Sequence, residues 1–86
     1  MGERVKTPQQ LLGEVLALKK VDDESPHPYA FIREGEQHVT VSGEDGGVWC
    51  DYWAAMWIDP QLQALAERNR MFWEWENAAC IGLYPV

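Results

Sequence analysis

The chain has 86 residues, 47% of them hydrophobic and 24% charged, and its 14 acids against seven bases give a formal charge of −7. A chain this short buries only about 60% of its unfolded surface, which limits it to one thin core over residues 1–86. The charge repels a polyphosphate backbone, excluding ordinary nucleic-acid binding, and no apolar run approaches the ~20 residues of a membrane span.

The opening MGERVKTP has no apolar stretch of the kind that directs secretion, and Lys6 stands where a myristoylation signal needs Ser or Thr. The expectation is a soluble, cytoplasmic protein without a lipid anchor. In that compartment Cys50 and Cys80 are expected as reduced, at least half-buried thiols, although spacing alone leaves their pairing open.

Thr7, Pro8 and Gln10 form a helix start: an N-cap hydroxyl, a proline at the first helical position and a capping-box amide. Leu11, Leu12, Val15, Leu16 and Leu18 recur at spacings of three and four, which predicts a helix over residues 8–20. Gly13 inside it costs about 1 kcal/mol against alanine, or else marks a close approach.

Residues 21–28, with three acids and two prolines, read as a loop. Residues 29–34 and 37–42 are rich in β-branched and aromatic side chains and flank Gly35-Glu36, predicting a hairpin with a type II′-like turn. Val39 and Val41 then face one way, and His38, Thr40 and Ser42 the other. Residues 43–47, GEDGG, read as a flexible loop.

Residues 48–58 fit two periods, because Trp49, Trp53 and Trp57 make a helical stripe while VWCDYW alternates like a strand. The preferred reading is a short strand or irregular segment running into a turn of helix. Asp59-Pro60 repeats the helix-start logic, and Leu62, Leu65 and Ala66 supply the buried stripe of a helix over 60–69. Residues 71–76, MFWEWE, also fit both periods. Strand is preferred, with Trp73 and Trp75 on one face and Glu74 and Glu76 on the other. Asn77-Ala78 turns the chain into a last strand ending at Pro85. The fold class is therefore α+β: a small single domain with a mainly antiparallel sheet of two hairpins and two helices packed on one face.

Few residues form a pattern with chemistry. His27, His38, Cys50 and Cys80 lack the short spacings of a zinc site, and Asp22, Asp23 and Glu24 lack the alternation of a calcium loop. No metal and no cofactor are expected. Cys50, Asp51 and His38 have the residue types of a thiol nucleophile with base and orienting acid, but nothing in the spacing gathers them. Glu74 and Glu76 lie about 7 Å apart on a strand face, compatible with a paired acid and base or simply with a solvated face.

What stands out is the aromatic surplus of the C-terminal half: Trp49, Tyr52, Trp53, Trp57, Phe72, Trp73, Trp75 and Tyr84. Tryptophan and tyrosine are favoured interface anchors, since they combine apolar area with a polar tip. Trp49, Tyr52, Trp53, Trp57, Trp73 and Trp75, with Glu74 and Glu76, are the candidates for an interface or pocket. The reading is a small acidic non-enzymatic interaction protein, self-associated as a homodimer, with a protein partner that is expected to be basic and that it would inhibit or modulate. The alternative is a small-ligand binder or enzyme with an aromatic pocket whose polar groups are Glu74, Glu76, Asp51 or His38.

Overall fold

A computed structural model describes residues 6–20, 27–46 and 48–86. The start of the chain, Gly47 and residues 21–26 of the loop expected over 21–28, with Asp22, Asp23 and Glu24, lie outside the described residues, and Pro28 at its expected end belongs to a strand.

Helix α1 spans Pro8–Leu16 and is capped as its sequence requires. The Gln10 N–H donates to Thr7 Oγ1 at 3.1 Å, while Gln10 Oε1 accepts from the Thr7 N–H at 2.9 Å. The helix stops at Leu16 instead of near residue 20. Beyond it Lys19 and Lys20 are recruited elsewhere, with the Lys19 carbonyl accepting from Gln61 Nε2 at 2.9 Å and Lys20 pairing with Asp59 at 3.4 Å. Tertiary contacts there outweigh the helix dipole's preference for cations.

The first hairpin pairs β1 (Pro28–Phe31) with β2 (Thr40–Gly46). Both strands are displaced from the expected 29–34 and 37–42. The reversal is an Arg33–Glu36 turn, closed by the Glu36 N–H on the Arg33 carbonyl at 3.0 Å, with Gly35 third in the turn at φ 84°. That position for a left-handed glycine matches a type II turn, not the expected II′. Residues 43–46, expected as a loop, belong to β2. Gly43 is required there because a Cβ would lie 2.8 Å from the Cys50 carbonyl oxygen, where β3 crosses.

The ambiguous segment resolves into β3 (Cys50–Asp51) and β4 (Trp57–Ile58), an antiparallel pair joined by a tight turn. A helical stripe of Trp49, Trp53 and Trp57 does not form. Helix α2 (Pro60–Arg68) follows, with Asp59 as N-cap. Strands β5 (Met71–Trp75) and β6 (Cys80–Pro85) close the chain as a second hairpin. The main sheet has the antiparallel order β1-β2-β6-β5.

Register sorts the side chains. Ala30, Val41, Ile81 and Trp75 align across the sheet on an inner face, and Phe31, Thr40, Gly82 and Glu74 on an outer one. The inner face carries the core: Val39, Val41, Ile81, Leu83 and Trp73 pack with Leu11 and Val15 of α1 and Leu62, Leu65 and Ala66 of α2. Both helices therefore cover one face. Trp73 shows why strand wins over helix at 71–75: its indole reaches the core while Nε1 donates to the Leu62 carbonyl at 2.8 Å.

Candidate functional site

Two surface features emerge, one apolar and one polar. The apolar one is the turn between β3 and β4. Its base is fixed by the Asp59 N–H on the Trp49 carbonyl at 2.9 Å and by Lys20, which donates to the Val48 carbonyl. The Lys20 ammonium lies 5.0 Å from the Trp49 ring centre and 5.5 Å from that of Trp57, so two cation–π contacts join the clamp.

Above this base, Asp51 Oδ1 accepts from the Trp53 N–H at 3.0 Å and the Met56 N–H reaches the Tyr52 carbonyl at 2.9 Å. Ala55 and Met56 take left-handed φ values of 58° and 56°. Such a conformation costs an L-residue about 1–2 kcal/mol, so the turn is a strained one. It presents Trp53 to solvent at 81% exposure and Met56 at 55%, with Trp57 and Tyr52 partly exposed beside them. Tyr52 bridges the turn to the sheet, its ring edge-on to Trp53 at 5.2 Å and to Trp75 at 5.4 Å.

The sequence candidates thus separate. Tyr52, Trp53 and Trp57 form the exposed turn, and Trp75 is half-buried at its foot. Trp49 is fully buried and Trp73 nearly so, which places both side chains in the core. Met56 also belongs to the surface, although its residue type marks no site. The sequence signal for it is the absence of charge across residues 52–57.

The polar feature lies on the outer face of the sheet. Glu76 folds back over Gly82, and its Oε2 accepts from Tyr84 OH and from His38 Nε2, each at 2.7 Å, while Oε1 accepts from Arg33 at 3.1 Å. The His38 ring stacks on Tyr84 at 4.6 Å, and Glu36 stands 3.5 Å from His38 Nε2. Arg33 also donates to Thr40 Oγ1 at 3.5 Å, which explains how a threonine on the more polar face is fully buried.

Burial pushes the Glu76 carboxyl up, but the hydrogen bonds from Tyr84, His38 and Arg33 outweigh it and hold the carboxyl below its ordinary value. The hydrogen bond to Glu76 is the largest reason that the Tyr84 phenol is pushed up to about 12. Glu76 is therefore held as a carboxylate that accepts from Tyr84, His38 and Arg33. Glu74 is exposed and supplies none of the hydrogen bonds that hold Glu76.

The other chemical candidates do not assemble either. Burial, then Cys80 and Asp51, push the Cys50 thiol up to about 11, which suppresses its thiolate, and Asp51 serves the turn. Both cysteines are free and buried. Among the described residues, no three His, Cys, Asp or Glu side chains gather as a metal site. An open depression of about 420 Å³, lined by Glu67, Arg70, Met71 and Val86, includes none of the polar groups named for a ligand pocket. No helix among the described residues is long and apolar enough to cross a membrane.

Compared with known proteins, the chain matches no family model, no curated protein and no solved structure.

Proposed function

We propose that this chain is a small acidic, non-enzymatic contact protein whose docking element is the β3–β4 turn, with Trp53 as its anchor. The observation that carries this reading is a charge-free aromatic turn, strained and clamped at its base, that exposes 81% of a tryptophan. Burying that side chain removes about 200 Å² of surface, worth up to about 5 kcal/mol by area. The occupant is a protein with an apolar pocket rimmed by lysine or arginine, because the chain carries −7 and Asp51 lies at the edge of the turn. An acidic chain that covers such a surface acts as an inhibitor or modulator of the basic protein.

A photo-crosslinking amino acid at position 53, compared with one at the exposed Gln63, tests this in cells. Adducts with one basic protein from position 53 alone are expected. With both proteins purified, Trp53→Ala should weaken binding by about 2–4 kcal/mol, with an affinity that falls as salt rises. Equal crosslinking from both positions, or unchanged binding by Trp53→Ala, would refute the proposal.

A further inference from the structure

Strands β1 and β5 are the two edges of the main sheet, and they are built differently. Edge β1 begins with Pro28, which has no N–H, and its register slips between Pro28 and Tyr29. Both features blunt an edge against further pairing. Edge β5 has neither: its sequence is MFWEW, and its register with β6 runs unbroken from Met71 opposite Pro85 to Trp75 opposite Ile81.

Hydrogen-bond parity determines what this edge offers. The Glu76 N–H bonds the Cys80 carbonyl at 3.0 Å and the Val86 N–H bonds the Arg70 carbonyl at 3.2 Å, bracketing β5 at both ends. Antiparallel pairs alternate, so Phe72 and Glu74 spend their backbone groups on β6. The Leu83 N–H, bonded to the Val39 carbonyl at 2.9 Å, confirms the same parity from the other side of β6. The backbone groups of Met71, Trp73 and Trp75 consequently face the outer edge of the sheet.

We propose that β5 pairs antiparallel with β5 of a second copy, about a two-fold axis through Trp73, joining the two four-stranded sheets into one. Centring on Trp73 sets Trp73 opposite Trp73 and Met71 opposite Trp75, which engages all three outward-facing residues. It also sets Glu74 of each copy opposite Phe72 of the other, so like charges are not opposed. A shift that centres the pair on Glu74 would oppose the two carboxylates and leave one end of each edge without a strand partner. The contact uses the backbone of β5, whereas the Trp53 anchor projects its side chain from the β3–β4 turn, to which Trp75 is linked through the Tyr52 ring.

Sedimentation equilibrium over a protein concentration series in moderate salt, with residue-resolved amide exchange at both ends of the series, tests the proposal. A dimer is expected in which the Met71, Trp73 and Trp75 amides exchange at least about tenfold more slowly than in the monomer, while those of Phe72 and Glu74 are protected in both. Trp75→Pro and Trp75→Ala both lose the indole, but only proline removes an outward N–H. Trp75→Pro should dimerise at least about tenfold more weakly than Trp75→Ala, and Trp53→Ala should dimerise like the parent. A monomer throughout, a dimer whose odd-numbered β5 amides exchange as in the monomer, equal dimerisation by the two Trp75 variants, or loss of the dimer in Trp53→Ala would overturn it. If the Trp75 variants do not fold, exchange on the unaltered chain decides the matter alone.

Discussion

Replacing Gly82 by alanine tests the outer-face cluster most directly. A Cβ at this position would stand 2.6 Å from Glu76 Oε2, 3.0 Å from its Cδ and 2.9 Å from Tyr84 Cε2, so the carboxylate would have to leave. Its bonds from Tyr84 and His38, both 2.7 Å, go with it. Hydrogen bonds to a charged acceptor are worth about 1.5–3 kcal/mol, and about 1 kcal/mol each is reasonable where both partners are still in part solvated. Alanine recovers about 0.5–1 kcal/mol by restricting the unfolded chain. The net expectation is a loss of about 1–1.5 kcal/mol, with the melting temperature falling by about 4–8 °C per kcal/mol. Urea and thermal unfolding of the parent, Gly82→Ala, Glu76→Ala and the double variant form the assay. With Glu76 shortened its part of the clash is gone and only the Tyr84 Cε2 contact remains, so Gly82→Ala should cost less in that background than in the parent. Equal cost in both backgrounds would refute the reasoning and assign the penalty to Tyr84 or to the strand itself.

A Cβ at Gly13 would meet nothing within 4 Å, so Gly13→Ala should raise stability by about 0.5–1 kcal/mol in urea unfolding. Because the Glu76 carboxyl is held below its ordinary 4.5 in the folded chain, its contribution is present above that value and is lost as pH falls through the folded pKa. The stability gap between the parent and Glu76→Gln should accordingly be constant near neutrality and narrow below about pH 4.5 in acid titrations followed by unfolding. In the same variant, spectrophotometric titration should show Tyr84 ionising nearer the ordinary 10 than about 12.

The elements best marked in the sequence are those set by local chemistry. Asp59-Pro60 and Thr7-Pro8 start helices through caps that need nothing distant, and both are found where expected. Residues 71–75 fit two periods. The choice between them is made by Trp73, whose indole N–H finds a carbonyl in α2, a contact no spacing rule contains. The first hairpin departs from its expected bounds for a related reason. Arg33 and His38 look like strand residues, yet they leave the ladder to reach Glu76, which lies 43 and 38 residues away. The cluster they form has no sequence signature, because its members meet only after the two hairpins pair. The aromatic surplus is visible at once in the sequence, but exposure is not: Trp49 and Trp53 look alike there and occupy opposite extremes of burial.

The position of β6 has a kinetic consequence. Residues 80–85 form an interior strand between β2 and β5, although they are synthesised after every other described element. Each main-sheet hairpin is local and can form on the microsecond scale by itself. The seam between them, Thr40 opposite Gly82 through Ser42 opposite Cys80, requires closure over roughly 40 residues, an entropic cost of about 3 kcal/mol. That closure adds its entropy cost before the seam can form, and until it occurs the inner edge of β2 stays open on the nascent chain. The β1–β2 hairpin therefore waits for the last strand, and the chain reaches its native sheet only once translation has delivered residues 80–85.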